Sequence, residues 1–160
     1  MPPLPISSEL NKIAKTIARS KGRGILVGGA VRDHFMDRRI SKDLDVEVFG
    51  LSMEELESVL KQFGNIHAVG KSFGVLKLKT TKAEYDFSLP RREQKTGKGH
   101  RGFKIITDPA MSFKEAASRR DFTVNSMGYD LLENTLLDPF QGIEDIKNKK
   151  LRHIGPSFAE

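Results

Sequence analysis

Apolar and polar positions along the chain alternate with two periods, one typical of helices and one typical of strands. From Ser8 to Gly22 the apolar residues recur every three or four positions, which predicts an amphipathic helix. A second stripe of this kind follows Ser52, which forms a capping box with Glu55, and it stops at Gly64. Alternation with a period of two predicts strands at 25–27, 43–48, 66–69, 75–78 and 83–89.

These elements predict an α/β (α+β) fold in which a small mixed, largely antiparallel sheet has helices packed on one side. Three of the strands each carry one apolar face, and capped amphipathic helices alternate with them. A short helix is predicted at 30–36, and another follows a capping box of Ser112 and Glu115. The segment 91–104 is rich in Lys, Arg and Gly and predicts a mobile loop.

Two carboxylates lie on the polar face of the 43–48 strand. Leu44, Val46 and Val48 share the other face, which leaves Asp43 and Asp45 together, about 7 Å apart along the chain. Carboxylates this close repel each other unless a cation lies between them, and hard oxygen ligands suit Mg²⁺. A solvated strand face is the plainer alternative for these two residues.

A glycine pair precedes these carboxylates, at the end of the first strand. Gly28 and Gly29 permit positive φ and let backbone N–H groups approach a phosphate at the start of the next helix. That helix would place Arg32 one turn inside a phosphate site, although an exposed arginine paired with an acid is an equal alternative. The order of strand, glycine pair, short helix and Asp-x-Asp predicts a metal-dependent nucleotide site.

A third carboxylate lies on a strand that repeats this alternation. Within 83–89, Tyr85, Phe87 and Leu89 take one face, which puts Asp86 on the other. A carboxylate on a neighbouring strand can add a further metal ligand, or can orient or deprotonate a hydroxyl that attacks a metal-bound phosphate. A solvated strand carboxylate is again the alternative.

Composition narrows the classes of partner. The chain has 160 residues, enough for one domain with a proper core. Its formal net charge of +6 favours a polyanionic partner. No run of 18 apolar residues is present to span a membrane, and the absence of cysteine fits a cytoplasmic protein. We therefore expect no membrane partner.

Two sequence motifs together resemble a known superfamily. GGAVRD at 28–33 followed by DLD at 43–45 resembles the nucleotidyltransferases of the DNA polymerase beta superfamily. The string is most similar to their class II branch, the tRNA CCA-adding enzymes and bacterial poly(A) polymerases. RRDFTVNSM at 119–127 resembles the second motif of this family, with Val124 and Ser126 where Ile and Ala are usual.

The resemblance implies roles for individual residues. Asp43 and Asp45 would bind two Mg²⁺ ions, and Asp86, five residues before Arg91, matches an acidic residue of the family. Arg120 would contact the nucleotide phosphates. The residues that would help to hold the ribose are Arg119, Asp121 and Asn125.

The implied activity is Mg²⁺-dependent nucleotidyl transfer from ATP or CTP to the 3′ end of tRNA or another RNA. The spacing of residues in 91–103 looks like a loop of the CCA-adding enzymes of gamma-proteobacterial type, which favours CCA addition. A third motif, DPxxGxxDxxxxxLR, is matched through Asp138, Gly142, Asp145 and Arg152. In the family it has been linked to motion between head and neck, although a plain hairpin would account for it equally well.

The predicted organisation has three parts. Residues 1–24 form an arm and a helix, 25–155 form the catalytic head, and 156–160 begin a neck that is truncated or supplied by a separate neck and body polypeptide. The alternatives for function are a poly(A) polymerase head and a non-catalytic NTP- or RNA-binding module. A protein- or drug-modifying transferase of the same superfamily is a third, against which the RRDFTVNSM block counts.

Overall fold

A computed structural model describes residues 4–36, 43–68, 70–95 and 103–154 of the chain, with only the backbone described at Asp43, 93–95 and 103–105. Five α-helices are present in these ranges: α1 Ser8–Arg19, α2 Gly29–Phe35, α3 Met53–Leu60, α4 Phe113–Ala117 and α5 Gly142–Lys147. Two single 3₁₀ turns lie at Lys71–Phe73 and Thr123–Asn125. The strands are β1 Arg23–Val27, β2 Asp43–Phe49, β3 Asn65–His67, β4 Val75–Lys79, β5 Glu84–Ser88, β6 Arg91–Lys95, β7 Phe103–Thr107, β8 Gly128–Asp130 and β9 Thr135–Leu137.

Seven of the strands form one mixed sheet, in the order β3-β4-β5-β2-β1-β8-β9. Every pair of neighbours is antiparallel except β2 and β5, which run parallel. A parallel pair needs a crossover connection, and α3 with β3 and β4 supplies it here. The predicted mixed, largely antiparallel sheet is confirmed.

The main core lies between one face of this sheet and helices α1 and α3. Leu26, Val46 and Phe87 from the three central strands are at most 1% exposed. They belong to the same buried cluster as Ile13 of α1 and Leu56 of α3. Burying one such side chain contributes about 1.5–3 kcal/mol. The predicted packing of helices on one side of the sheet is confirmed for α1 and α3, whereas α4 lies against the other side.

The opposite face of the sheet is covered over part of its area by the segment that contains α4. Ile25, Val27 and Phe49 form a second buried cluster there with Met111 and Ala116. Strand alternation explains this arrangement, because the neighbours of Leu26 and Val48 point to the other side. The part of this face that α4 leaves open carries polar side chains.

Serine side chains cap three of the helices, and the caps at Ser52 and Ser112 are those that the sequence predicted. Ser7 accepts from the N–H of Leu10 at 3.1 Å and starts α1. Ser52 and Glu55 form the full reciprocal box, with bonds of 3.1 and 3.0 Å. Ser112 accepts from the N–H of Glu115 at 3.2 Å. The sequence predicts that this helix continues to 119–121, but α4 ends at Ala117.

The prediction that 91–104 forms a loop is wrong for its two ends. Arg91–Lys95 and Phe103–Thr107 pair as antiparallel strands, with Arg91 opposite Thr107 and Lys95 opposite Phe103. Composition misleads here because strand pairing is made by backbone hydrogen bonds, and the strand preference of a side chain depends on its surroundings. The expected mobility of 96–102 lies outside the described residues, as does Val69 of the predicted 66–69 strand. None of the described helices has the length and apolar character needed to cross a membrane.

Candidate active site

The turn after β1 brings the glycine pair against a predicted catalytic carboxylate. Val27, the last residue of β1, is paired with Asp45 of β2. Gly28 follows with φ of 78° and ψ of −154°, a backbone region that is essentially restricted to glycine. A Cβ atom on Gly28 would lie 3.2 Å from Oδ2 of Asp45. The conformation therefore requires glycine beside this carboxylate, and an added Cβ would displace the carboxylate by a few tenths of an ångström.

Parallel pairing of β2 and β5 places two predicted site residues next to each other. Asp45 is the register partner of Asp86, and Asp43 is the register partner of Glu84. The side chain of Asp86 is 39% exposed, and Nζ of Lys77 lies 3.8 Å from its Oδ1. The structure thus brings Asp45 and Asp86 together on the open face of the sheet. The carboxylate of Asp43 lies outside the described atoms.

The oxygen ligands at this place fit a hard divalent cation. Asp45 and Asp86 both offer carboxylate oxygens, which are the ligands Mg²⁺ prefers. Among the side chains that the structure describes, no group of three or more His, Asp or Glu residues is arranged to hold a metal ion. That set excludes the side chain of Asp43, the third member of the predicted carboxylate group.

A chain of hydrogen bonds connects three of the predicted nucleotide-binding residues. Arg32 donates from Nη1 to Oδ1 of Asn125 at 2.8 Å, and from Nε to Oδ1 of Asp33 at 3.1 Å. Asn125 in turn donates from Nδ2 to Oδ1 of Asp121 at 3.4 Å, and Asp121 also accepts from the N–H of Phe122 at 2.7 Å. The structure therefore places Arg32 next to residues of the second motif, and also pairs it with the acid Asp33.

A cavity of about 540 Å³ opens beside this chain of hydrogen bonds. Its polar groups include Arg32 and Asn125, and its walls are mostly apolar. A largely apolar cavity of a few hundred Å³ with a small number of polar groups is typical of a small-molecule site. The remaining wall residues are Met36, Phe122, Val124, Asp145, Ile146, Lys149, Lys150 and Leu151.

A smaller cleft of about 180 Å³ contains the arginine pair of the second motif. Arg119 and Arg120 line it together with Arg91 and Glu47. Glu47 is 8% exposed, and its burial raises the pKa of the carboxyl, while the nearby charges of Arg120 and Arg91 act in the opposite direction. Glu47 was missed in the sequence-based prediction. The signal was available, because Glu47 continues the alternation that places Asp43 and Asp45 on one strand face.

The third motif forms a structural support for the turn that carries Asn125. Asp138 accepts from the N–H groups of Gly142 at 2.6 Å and Ile143 at 3.0 Å, and so caps α5. Asp145, buried on α5, accepts a hydrogen bond from Thr123 and another from Nε of Arg152 at 3.1 Å. The bond from Thr123 and the charge of Arg152 hold the pKa of Asp145 below its usual range. These contacts fix α5 against the 3₁₀ turn Thr123–Asn125.

Comparison with known proteins is consistent with this geometry. The poly A polymerase head domain family matches residues 25–152. A multifunctional CCA protein of Stenotrophomonas maltophilia (strain R551-3) is 42% identical over 135 residues, which are 84% of this chain and 31% of the relative. A multifunctional CCA protein of Mannheimia succiniciproducens is also 42% identical over 135 residues, with 84% and 30% covered. The chain therefore spans about a third of the length of these curated relatives.

Solved structures agree with the sequence relatives. The Bacillus stearothermophilus CCA-adding enzyme in complex with CTP superposes with a TM-score of 0.72 at 26% identity, covering 92% of this chain and 33% of that enzyme. A tRNA nucleotidyltransferase complexed with a primer tRNA and an incoming ATP analogue gives a TM-score of 0.70 at 30% identity, with 90% and 39% covered. This chain belongs to the poly A polymerase head domain family and has the nucleotidyltransferase head fold of the CCA-adding enzymes.

Proposed function

We propose that this chain is the catalytic head of an enzyme that transfers a nucleotide from ATP or CTP to the 3′ end of tRNA, in the reaction that builds the CCA terminus. The observation that carries the proposal is the pairing of Asp45 with Asp86, directly beside the turn at Gly28. The 42% identical relatives are CCA proteins, which supports the choice of reaction. The proposed location is cytoplasmic, on the grounds of composition alone.

Each part of the nucleotide has proposed partners in the site. Asp43 and Asp45 would hold Mg²⁺, and the bound ion would offset the negative charge that develops on the phosphates. Arg120 and Arg32 hold triphosphate oxygens together with the N–H of Gly29, because a guanidinium fork matches phosphate geometry. The ribose is held by the remaining residues of the second motif: Arg119, Asp121 and Asn125.

Asp86 is the proposed base or orienting group for the acceptor. Its carboxylate takes or orients the proton of the RNA 3′ hydroxyl, and the 3′ oxygen then attacks the α-phosphorus. The bond between the α-phosphorus and its bridging oxygen breaks, and pyrophosphate leaves. The exposure of Asp86 supports this role, because an acceptor strand can reach it from solvent. Positioning the two reactants in line supplies much of the expected rate.

Base selection and most of the contacts that bind tRNA are proposed to lie outside the head. In the resembling family these functions belong to a neck and body, and this chain covers 31% of the relative from Stenotrophomonas maltophilia. Residues 25–155 are accordingly proposed as the head unit, which a neck and body polypeptide would complete. By itself the chain is expected to bind Mg²⁺–NTP weakly, with little preference among bases.

The test is incorporation of each α-labelled NTP into tRNA that lacks its 3′ end, with and without a neck and body polypeptide. The expected result is Mg²⁺-dependent addition only when the neck and body are supplied, and its loss in Asp45→Asn. Efficient addition in C-then-A order by residues 1–160 alone would contradict the proposed location of base selection. Absence of incorporation under every condition, with NTP still bound, would instead favour a non-catalytic NTP- or RNA-binding module.

A poly(A) polymerase head is the second candidate. It is favoured by the family match, since the family takes its description from poly A polymerase. The same assay separates the two reactions. Repeated addition of AMP without incorporation of CMP would identify poly(A) synthesis, whereas CMP followed by a single AMP identifies CCA addition.

A further inference from the structure

Glu47 is a buried carboxylate on the face of the sheet opposite the main core. It has no role in the mechanism above. It lies two residues beyond Asp45 on the same face of β2, and its register partner on β5 is Ser88. Only 8% of the residue is exposed. Its Oε1 is fully buried and has no hydrogen-bond partner among the described residues. A buried acceptor of this kind is costly to retain, so its presence calls for a physical explanation.

The charges that act on Glu47 come from two arginines of the same cleft. Arg120 and Arg91 both attract the carboxylate, and all three residues line the cleft of about 180 Å³. Arg91 is already held, because its Nη1 donates to the carbonyl oxygen of Phe73 at 2.9 Å. Among the described residues, Arg120 makes no side-chain hydrogen bond and no ion pair within 4 Å, so the buried carboxylate of Glu47 acts on it by charge within the cleft that both residues line.

We propose that Glu47 is a positioning residue that orients the guanidinium of Arg120 toward the triphosphate of the incoming nucleotide. The inference rests on the proposed function, in which Arg120 holds triphosphate oxygens. A guanidinium has five N–H donors in a planar fork, so one edge can face Glu47 while another binds phosphate. Fixing this long side chain before the ligand arrives removes part of the entropy cost of binding.

If Glu47 positions Arg120, removal of its carboxylate weakens anion binding. A purely electrostatic role for Glu47 predicts the opposite effect. A negative charge next to an anion site repels phosphate, so its removal should tighten anion binding by Coulomb's law. Glu115 provides the comparison, because its carboxylate also lies near the arginines, 3.8 Å from Arg119, but is 56% exposed. Removing an exposed carboxylate there should leave anion binding unchanged or slightly tighter, since solvent screens it. The sign of the change therefore separates positioning from charge alone.

The test measures binding of inorganic tripolyphosphate with Mg²⁺ by calorimetry, using the whole 160-residue chain. The variants are Glu47→Gln, which keeps shape, and Glu47→Met, which fills the same volume without a polar group. Thermal unfolding is followed on the same samples. Glu115→Gln is the matched control, and Glu47→Asp tests whether a shorter carboxylate restores part of the affinity.

Both Glu47→Gln and Glu47→Met are expected to bind tripolyphosphate roughly five- to tenfold more weakly. This loss of affinity corresponds to the entropy cost of immobilising one side chain on binding. Their unfolding temperature should be unchanged or higher, since a buried charge is removed. Unchanged or tighter binding by the folded variants would overturn the inference, as would a loss of the fold in both. If the wild-type chain bound neither tripolyphosphate nor Mg²⁺–NTP, the proposed nucleotide site itself would be refuted.

Discussion

The guanidinium of Arg32 donates a 2.8 Å hydrogen bond to the side-chain oxygen of Asn125, across 93 positions of sequence. Arg32 comes from the helix after the glycine pair, and Asn125 comes from the second motif. The bond therefore joins the two parts of the chain that the sequence assigned to one nucleotide site. The bond is partly buried, and both residues line the cavity of about 540 Å³.

A double-mutant cycle should detect this bond in nucleotide affinity. Arg32→Ala and Asn125→Ala are each expected to weaken binding of a non-hydrolysable NTP, and the double variant should lose less than the sum of the two. The expected coupling free energy is about 0.5–3 kcal/mol, as for other residues in direct contact. Calorimetric titration of the four proteins measures it. Strict additivity would show that the bond does not act on the bound nucleotide.

Replacement of Gly28 by alanine should damage both the fold and the carboxylate site. The required φ of 78° and the 3.2 Å approach to Asp45 both oppose a side chain. We expect Gly28→Ala to reduce the free energy of unfolding by about 1–3 kcal/mol and to weaken Mg²⁺–NTP binding.

Gly24→Ala is the matched control for this prediction. Gly24 lies in β1, four residues before Gly28, and a Cβ there would meet its nearest neighbours at 3.6 Å, an ordinary contact distance. Urea unfolding should show little change in this variant, because alanine also loses less chain entropy on folding than glycine. Equal losses at positions 24 and 28 would mean that strain at Gly28 is not the cause.

Arg120→Lys should weaken nucleotide binding although it keeps the charge. An ammonium group cannot bind phosphate with two parallel hydrogen bonds as a guanidinium does. Loss of one charge-assisted hydrogen bond corresponds to about 1.5–3 kcal/mol, or roughly tenfold or more in affinity. Titration with a non-hydrolysable NTP measures the change, with Arg92→Lys at an exposed residue of β6 as the control. An affinity equal to that of the wild type would count against phosphate binding by Arg120.

Asp86→Asn should slow the chemical step while leaving NTP affinity nearly unchanged. A carboxylate that orients or deprotonates the acceptor hydroxyl contributes about 10²–10⁴-fold to the rate. Single-turnover incorporation into tRNA, with the neck and body supplied, separates the rate from NTP binding. Glu84→Gln is the control, because Glu84 is on the same face of β5 and pairs with Lys79 at 3.8 Å. A rate within a few-fold of wild type would exclude Asp86 from the reaction.

Asp145 should contribute stability that is lost in acid. Its pKa in the folded protein is lowered from an ordinary value of 3.8, mainly by the hydrogen bond from Thr123. The contribution is therefore fully present above the pKa of the unfolded chain and disappears as the pH falls through the lower folded value. Asp145→Asn should flatten the acid side of a plot of unfolding temperature against pH. Glu144→Gln, at an exposed site on the same helix, should leave that slope unchanged.

Thr123→Val tests the same buried contact at neutral pH. The substitution keeps the shape of the side chain but removes the donor, so one lone pair of the buried Asp145 loses its partner. The expected loss in free energy of unfolding is about 1–3 kcal/mol, measured by urea unfolding. Because Thr123 begins the turn that carries Asn125, binding of a non-hydrolysable NTP should weaken as well.

The sequence by itself determined the strands β1 to β5, their faces and the starts of the helices between them, whereas β6 to β9 were not predicted. Alternation in 43–48 and 83–89 assigned Asp45 and Asp86 to the polar faces, and Ser52 with Glu55 fixed the start of α3. These signals are reliable because they depend on backbone geometry within a few residues. The order of glycine pair and Asp-x-Asp was equally local, and it was sufficient to indicate the family.

Only the tertiary structure decided which elements are neighbours. The parallel pairing of β2 with β5, the bond between Arg32 and Asn125, and the cleft that joins Glu47 to Arg120 all connect residues far apart in sequence. The antiparallel pair of β6 and β7 is a further contact that the local sequence did not predict. The two strands pair although their composition is typical of loops. Such contacts depend on strand order and on the packing of the whole core, and no local pattern of residues encodes them.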